Sequence, residues 1–385
     1  MNDLFKELTK TKQLHFTLIA EIKEKKLKPH TRFHSEQELV KRFKVNRTTV
    51  RQSLQKLVEE GYIYRINGKG TFIAPTIKRR QILVVSVQDE NPFQNHRYAQ
   101  LEFLSGLYSE SQHHGNDFIV IPLSPEEFSR ILPDILLVYQ HLFGIIFYSN
   151  PAPLEEAYLE LDSMGIPYIF YGSNLSLPEF CRNSFVYDQV QIIKMALTHL
   201  SEIGCTIIGI IGDANGNAPR IQRAELIRSL ATEFELQIHE GAVVNLEFPK
   251  DVKREVIYQT IQSQVAAVDF SKVDAFIAVD DVIAMFFMRA AATLGFKAPE
   301  DYLIIGINDY PFCPDLYPDL SSISISFFED GKSIIHSFSQ GILNQSSVNK
   351  TSQLKLITRN STIATASSGS KGQPGISAPS RPQLS

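Results

Sequence analysis

Seven short apolar runs, separated by segments with helical periodicity, place the strongest constraint on the fold of this 385-residue chain. Continuous apolar runs that alternate with helices are typical of parallel strands buried on both faces, as in repeated βαβ units. Seven strands in βαβ units exceed the usual size of one hydrophobic core. We therefore expect a two-lobed α/β body with parallel sheets. The predicted strands are Ile82–Val87, Phe118–Leu123, Gly144–Tyr148, Tyr168–Tyr171, Ile207–Ile211, Ala275–Val279 and Leu303–Ile307.

The chain ahead of these strands differs from the rest in charge. Its first 80 residues hold 19 Lys and Arg against 8 Asp and Glu, a net charge near +11. The other 305 residues hold 19 against 34, a net charge near −15, so the total of −4 conceals the asymmetry. A dense cationic surface is the electrostatic footprint of phosphate binding. We therefore expect the amino-terminal unit, and not the acidic body, to contact a polyanion.

The amino-terminal unit begins with the pattern of three helices. The segment Leu14–Lys26 is amphipathic, with apolar residues at helical spacing. The segment Ser35–Glu38 has the spacing of a capping box, which starts a second, short helix that ends near Phe43. Asn46 is a good N-cap residue for a third helix, which we expect to end near Glu60.

Two runs of β-forming residues follow, Tyr62–Ile66 and Lys69–Ile73, with Asn67-Gly68 between them. Asn-Gly at such a position is the strongest short-range hairpin signal, because both turn positions need a positive φ. Three helices followed by a hairpin make a winged helix-turn-helix, with Lys69 at the tip of the wing. The third helix carries polar side chains of little bulk opposite its apolar stripe, which suits entry into the major groove of DNA. These side chains are Thr48, Gln52, Gln55 and Glu59, with Arg51 at the border.

Over Phe16–Ala74 the chain resembles the GntR-type transcriptional regulators. The elements S-E-x-E-L, V-x-R-T-T-V-R, L-x-x-E-G and G-K-G-T-F occur in the family's order and spacing within LKPHTRFHSEQELVKRFKVNRTTVRQSLQKLVEEGYIYRINGKGTFIA. His34 replaces a usual Pro, and Gln37 replaces an Arg that often reads the operator, so the operator sequence stays open. The resemblance implies double-stranded operator DNA as a partner. It implies contacts from Ser35, Gln37, Asn46, Arg47, Thr48, Thr49, Arg51, Asn67, Gly68 and Lys69.

Polar side chains follow the predicted strands of the body. Ligands of parallel sheets bind beyond the carboxyl ends of the strands, so these loops are the place to look for a site. Amides, carboxylates, one Arg and a few aromatic rings that converge on a cleft suit a small polyhydroxylated or otherwise polar ligand. The loop residues are Asp89, Asn91, Phe93, Asn150, Asp213, Asn215, Asn217, Arg220, Asp280, Asp281, Asn308 and Asp309.

Over Ile82–Thr362 the body resembles the sensor domain of LacI-type repressors, which is related to periplasmic sugar-binding proteins. The clearest stretch is VDAFIAVDDVIAMFFMRAAATLGFKAPEDYLIIGINDYP, and ITRNST matches the terminal signature. The resemblance implies that Arg220, Asp280 and Asn308 contact the effector, with Phe93 against its apolar face. Asn308 stands where sugar-responsive members carry Asp, which leaves the class of ligand open.

Simpler roles compete with effector binding for the same side chains. Asp280 or Asp281 could cap the helix that follows them, and Arg220 could pair with Asp213 or Glu225. The sequence alone leaves these alternatives open.

Other kinds of site find little support in the sequence. Three widely spaced cysteines predict buried free thiols, not a disulfide framework or a zinc site. We expect His113-His114 to be an ordinary polar helix end, so we predict no metal site and no cofactor. There is no Ser/His/Asp set, P-loop or dinucleotide fingerprint. No apolar run has the length of a membrane span, and the amino terminus lacks a signal-peptide pattern, so we expect no membrane association.

These observations predict a cytoplasmic DNA-binding transcriptional regulator, most simply a repressor controlled by a small polar effector such as a sugar. We expect a homodimer, because one recognition helix reads only a few base pairs and twofold symmetry matches a palindromic operator. Induction and corepression share this signature. The alternatives are a sugar- or nucleotide-acting enzyme and a solute-binding protein. The predicted domains are 1–74 (DNA binding), 75–81 (linker), 82–363 (effector binding and dimerisation) and 364–385 (disordered tail).

Overall fold

A computed structural model confirms the predicted fold class: a winged helix-turn-helix is followed by two α/β lobes. The structure describes residues 10–25, 27–59, 61–66, 68–74, 80–86, 98–114, 116–138, 142–148, 155–213, 218–246, 254–340, 343 and 347–363. The predicted tail 364–385 and residues 75–79 of the predicted linker lie outside these ranges, as do Asn67 and Phe93.

Three helices and a two-stranded hairpin form the amino-terminal domain around a small apolar core. Leu18, Leu39, Val50 and Leu57 are fully buried there. The predicted apolar stripe of the third helix therefore faces the domain core. The first helix begins four residues earlier than predicted. The elements are α1 (Lys10–Glu24), α2 (Glu36–Phe43), α3 (Arg47–Glu59), β1 (Ile63–Ile66) and β2 (Gly70–Ile73).

The wing forms as predicted, but its turn is longer. Ile66 pairs with Gly70, so three residues connect the strands, and not the Asn67-Gly68 pair alone. Gly68 and Gly70 have φ values of 73° and 114°, which residues other than glycine rarely adopt. The amide of Lys69 donates to the carbonyl of Ile66 at 3.0 Å, which closes the turn. Lys69 therefore lies in the turn at the tip of the wing, not in the second strand.

A buried carboxylate ties α1 to α2. The carboxylate of Glu21 accepts hydrogen bonds of 2.7 Å from both Lys25 and Arg42, and lies 3.2 Å from Nε2 of His34. Partial desolvation raises the pKa of Glu21, but the hydrogen bonds from Lys25, His34 and Arg42 outweigh it and hold the pKa at about 2. His34, which departs from the family pattern, thus belongs to a network that holds this domain together.

The first lobe has a sheet of six parallel strands, and it confirms the four predicted in this part of the chain. Arg80 pairs with Asn116, so the sheet begins at residue 80 and includes the last two residues of the predicted linker, 80 and 81. From edge to edge the strands are β13 (Asn349–Thr351), β7 (Ser184–Tyr187), β6 (Tyr168–Ser173), β5 (Leu142–Tyr148), β3 (Arg80–Ser86) and β4 (Asn116–Pro122). The helices are α4 (Tyr98–His114), α5 (Pro125–Val138), α6 (Glu155–Met164) and α11 (Phe327–Ser339).

The second lobe repeats this arrangement, with one antiparallel strand at an edge. From edge to edge the strands are β14 (Leu354–Ile357), β12 (Ser321–Ile325), β11 (Leu303–Asn308), β10 (Ala275–Ala278), β8 (Ile207–Asp213) and β9 (Gln237–Leu246). The helices are α7 (Gln189–Glu202), α8 (Ala218–Leu230), α9 (Arg254–Ala266) and α10 (Asp281–Thr293). Five strands were not predicted (β7, β9, β12, β13 and β14). They are short, lie at an edge or, like β12, alternate Ser with Ile, so none forms a long apolar run.

The chain passes between the lobes three times, after β7, after β12 and between β13 and β14. The crossings lie side by side: the amide of Ser352 donates to the carbonyl of Val186 at 2.8 Å, and the amide of Ser326 donates to the carbonyl of Gln353 at 3.3 Å. Adjacent short crossings of this kind can serve as a hinge between lobes.

Two helices of the first lobe, α4 and α11, approach each other at backbone distance. A Cβ added to Gly106 would lie 2.0 Å from the carbonyl oxygen of Phe328, and one added to Gly331 would lie 2.4 Å from that of Phe103. Only glycine fits at these two positions. The spacing of side chains further along the two helices is therefore fixed by direct backbone packing.

All three cysteines are free thiols, and Cys205 and Cys313 are buried as expected, whereas Cys181 is only partly buried. Burial raises the pKa of the Cys205 thiol to about 12, which keeps it protonated and unreactive near neutral pH. No helix among the described residues is long and apolar enough to cross a membrane.

Candidate functional site

The third helix of the amino-terminal domain turns a polar face to solvent. Asn46 caps its first turn, since the side-chain oxygen accepts a backbone amide at 2.7 Å. The side chains of Arg47 and Arg51 are 73% and 67% exposed. Two long cations on an otherwise polar, uncrowded face can reach phosphates or base edges. The exposed residues of this face are Arg47, Thr48, Arg51, Gln52 and Gln55.

Thr49 does not share this face, contrary to the expectation for it. The residue is only 9% exposed, next to the fully buried Val50. The backbone amide of Thr49 donates the hydrogen bond that the side-chain oxygen of Asn46 accepts. The backbone amide of Thr49 thus helps to start the helix, and its low exposure leaves little of the residue accessible to DNA.

Glu36 organises the arginines of this surface, a role that the sequence analysis did not assign. Its carboxylate lies 3.1 Å from Nε of Arg47 and 3.6 Å from Nε of Arg51, both on α3, and 4.0 Å from the guanidinium of Arg65 in the wing. One carboxylate therefore holds cations from two elements. The motif S-E-x-E-L contains Glu36, but only the folded domain shows what it contacts.

The remaining predicted DNA contacts lie around this surface. Ser35 and Gln37 are exposed at the start of α2. The hydroxyl of Ser35 accepts the amide of Glu38 at 3.3 Å, and the amide of Ser35 donates to the carboxylate of Glu38 at 2.7 Å, which confirms the capping box. Gly68 and Lys69 are exposed at the tip of the wing.

In the body, the three described effector residues of the prediction come together in one buried cluster. Asp280, Asn308 and Arg220 are at most 5% exposed. The amide nitrogen of Asn308 donates to Oδ2 of Asp280 at 2.9 Å, and the guanidinium of Arg220 lies 3.4 Å from the same oxygen. The hydroxyl of Tyr310 donates to it at 3.2 Å. The cluster lies at the carboxyl ends of β10 and β11, where a parallel sheet binds its ligands.

Asp280 caps the helix that follows it, one of the roles that the sequence left open, and it also belongs to the buried cluster. Its Oδ1 accepts the amide of Val282 at 2.9 Å and caps α10, while Oδ2 faces the cluster. Asp281 has a different role, since it accepts the hydroxyl of Ser322 at 2.7 Å and the amide of Tyr310 at 3.0 Å. Burial, followed by the nearby Asp280 charge, raises the pKa of Asp281 to about 7.

Arg223 is the central residue that the sequence analysis missed. It is 3% exposed, and its guanidinium donates to Gln189 at 3.0 Å, to the carbonyl of Val279 at 2.8 Å and to the amide oxygen of Asn308 at 3.2 Å. Burial lowers the pKa of this guanidinium. The sequence contains a signal for Arg223, because it lies three residues after Arg220 and residues three apart on a helix lie on one face.

Aromatic rings from the first lobe and the second meet beside this cluster. The ring of Tyr98, at the start of α4, lies 5.2 Å from that of Tyr310 and 5.3 Å from that of Phe312. Tyr187, at the carboxyl end of β7, lies 6.1 Å from Phe327. Phe93, the predicted apolar contact, falls outside the described residues.

Two separate parts of the chain match two different known domains. Residues 10–73 match the bacterial regulatory proteins of the gntR family, and residues 197–362 match the periplasmic binding protein-like domain. This pair of matches decides the identification. The chain joins a domain that matches the gntR family of bacterial regulatory proteins to one that matches the periplasmic binding protein-like domain. It is a DNA-binding transcriptional regulator, not an enzyme.

One similar protein covers nearly the whole chain, and two solved structures cover about three quarters of it. The arabinose metabolism transcriptional repressor of Geobacillus stearothermophilus is 23% identical over 371 residues, which cover 93% of this chain and 98% of the relative. The Escherichia coli transcriptional repressor ascG superposes with a TM-score of 0.61 at 21% identity over 74% of this chain and 100% of that chain. A LacI family regulator from Enterococcus faecium, solved with bound ribose, gives 0.58 at 18% identity over 73% and 98%.

Proposed function

We propose that this regulator is a transcriptional repressor that binds operator DNA through its winged helix and releases it when a sugar binds between the two lobes of the body. The observation that carries the proposal is the buried cluster of Arg220, Arg223, Asp280 and Asn308. It stands at the strand ends of a two-lobed domain, in the same chain as an exposed, arginine-bearing helix.

The chemistry of the cluster suits a sugar. Two guanidinium groups, a carboxylate and an amide present fixed donors and acceptors in a buried site, and sugar hydroxyl groups both donate and accept. Aromatic rings such as Tyr98 and Tyr310 add apolar faces, against which the C–H faces of a sugar ring can pack. The names of the relatives point the same way, since one represses arabinose metabolism and a structural neighbour holds ribose.

The three chain crossings between the lobes can transmit sugar binding to the DNA-binding domains. Arg223 bonds Gln189, the first residue of α7 after the first lobe crossing. The hydroxyl of Ser173, at the end of β6, donates to Gln222 of α8 at 3.3 Å, so the two lobes already touch at the cleft. A ligand held by both lobes favours one closure angle over another, and this can shift the spacing of two winged helices.

Operator binding by two winged helices requires a homodimer. The outer face of α4 is a suitable interface, because the side chains of Leu101 and Tyr108 are 56% and 59% exposed and lie seven residues apart on one face. A chain that acts on operator DNA is proposed to work in the cytoplasm.

The deciding experiment is a titration of the purified full-length protein with a labelled duplex from the DNA upstream of its own gene. The titration is repeated with L-arabinose, D-ribose, cellobiose and other sugars, and the fluorescence anisotropy of the duplex is measured. We expect specific binding that one of these sugars weakens at least tenfold. Specific binding that no sugar changes would refute the effector assignment, and no specific binding would refute the DNA assignment.

A further inference from the structure

Outside the proposed DNA and effector sites, three side chains with metal-binding atoms converge at the ends of α4 and α11. Glu110 and His114 lie one helical turn apart on α4, and His336 lies on α11. One ligand atom from each of the three lies within 4.8 Å of the others. Oε1 of Glu110 and Nε2 of His114 are 3.0 Å apart, and the rings of His114 and His336 are 6.0 Å apart.

The packing of the two helices preorganises this cluster. Gly106 and Gly331 bring the backbones of α4 and α11 together. Glu110 follows Gly106 by four residues, so the two lie on the same face of α4. At the carboxyl end of α11, the side-chain amide of Asn116 donates to the hydroxyl of Ser339 at 3.1 Å. This bond connects α11 to the strand that follows α4. The cluster thus lies between the glycine contact of the two helices and the hydrogen bond from Asn116 to Ser339.

Against the prediction of an ordinary helix end at His114, we infer that Glu110, His114 and His336 form a binding site for a divalent transition-metal ion such as Zn²⁺. Two imidazoles and one carboxylate are a ligand set that zinc takes in proteins, with bonds of about 2.0–2.2 Å. Tetrahedral bonds of that length place ligand atoms about 3.3–3.5 Å apart, so the hydrogen bond between Glu110 and His114 needs to open by less than an ångström. The side chains of Glu110 and His114 are 19% and 26% exposed, and His336 is exposed, so an ion can enter from solvent.

The site would join α4 to α11 with three protein ligands and leave one coordination position for water. Metal binding of this kind stabilises the folded lobe, because the unfolded chain does not hold the three ligands together.

The test is isothermal titration calorimetry of the full-length, untagged protein with Zn²⁺. The matched control is His113→Gln, which removes the neighbouring histidine, exposed on α4 and outside the cluster. We expect one Zn²⁺ per chain, a loss of affinity of tenfold or more in His114→Gln and in His336→Gln, and wild-type affinity in His113→Gln. Circular dichroism shows whether each variant is folded.

Co²⁺ provides a second measurement that identifies the ligands. Substitution at this site should give weak d–d absorption without a sulfur-to-cobalt charge-transfer band, which separates it from the cysteines. No saturable Zn²⁺ binding up to millimolar concentration would overturn the inference. Equal losses in the His113 and His336 variants, or a sulfur-to-cobalt band, would overturn it as well.

Discussion

Arg223 and Asn308, 85 residues apart in the chain, are joined by a buried hydrogen bond of 3.2 Å from the guanidinium to the amide oxygen. The other amide atom of Asn308, its nitrogen, donates to Asp280. Asn308 therefore links a cation to a carboxylate through a neutral side chain. An Asp at this position would place a second carboxylate beside Asp280 and have no proton to donate to it. The Asn is thus the residue that fits this cluster.

Arg223→Ala should weaken sugar binding at least tenfold, because it leaves buried acceptors on Gln189, Val279 and Asn308 without their donor. The loss of a buried partner costs about 1–3 kcal/mol. Calorimetry with the sugar identified in the operator titration measures the effect. Arg228→Ala, on the same helix but in an exposed pair with Glu240, is the control. Equal affinities in wild type and Arg223→Ala would place the effector elsewhere.

Arg47→Ala should reduce operator affinity by about 1–3 kcal/mol and relax the sequence preference, as expected for a side chain that reads a base edge. Lys25→Ala, which removes a cation paired with Glu21 away from α3, should have little effect. Anisotropy titrations with operator and scrambled duplexes measure both. Similar losses in the two variants would instead indicate general phosphate binding.

Glu36→Gln should raise affinity for non-specific DNA and reduce the preference for the operator. The substitution removes the carboxylate that holds Arg47, Arg51 and Arg65 and adds one unit of positive charge at the surface. Non-specific binding is electrostatic, with a slope of about −0.9 in log K against log[salt] for each phosphate neutralised. The salt slope should therefore steepen.

The control for charge alone is Glu156→Gln, at an exposed position in the first lobe. It removes the same charge far from the arginines and should leave both duplex affinities unchanged. An operator preference that survives Glu36→Gln would show that the arginines are positioned without it.

Asp330 should make stability depend on pH. Its carboxylate accepts the hydroxyl of Tyr171 at 2.8 Å, and burial raises its pKa to about 6. Between about pH 4 and 6 the folded protein keeps a proton that the unfolded chain has released, so this group lowers the free energy of unfolding as the pH rises through that window. The contribution is fully present below the window and lost above it.

Asp330→Asn should therefore stabilise the protein by about 2–3 kcal/mol near pH 7.5 and have little effect near pH 4. Urea denaturation across this range measures the difference. Glu126→Gln, at an exposed position on α5, should leave the profile unchanged. A destabilised Asp330→Asn protein at neutral pH would mean that the charged carboxylate is the favoured form.

Leu101→Glu combined with Tyr108→Glu should convert the proposed dimer into monomers, because charged side chains would replace the exposed apolar face of α4. Sedimentation velocity measures the association state. Leu159→Glu, at a 57% exposed position on α6, is the matched control and should leave the dimer intact. A dimer that survives the double substitution would place the interface on another surface.

The sequence by itself determined those features that depend on local pattern. The apolar runs indicated seven strands, the capping box at Ser35 and the Asn-Gly turn marked the winged helix, and charge separated the two functional parts. Each signal lies within a few residues, where backbone preference and hydrophobic period act directly. Resemblance then selected Arg220, Asp280 and Asn308, which the fold brings into one cluster.

Tertiary structure decided what depends on contacts between distant segments. A buried side chain finds its partner by packing, which no local pattern records, so Arg223 and Glu36 gained their roles only in the fold. Thr49 is buried beside Val50, which only the packing of α3 against the rest of the domain decides. The strand β12 was not predicted, because its Ser residues are polar in the sequence and become buried only when neighbouring strands pair with it. The Glu110, His114 and His336 cluster likewise exists only where two glycines let α4 and α11 meet.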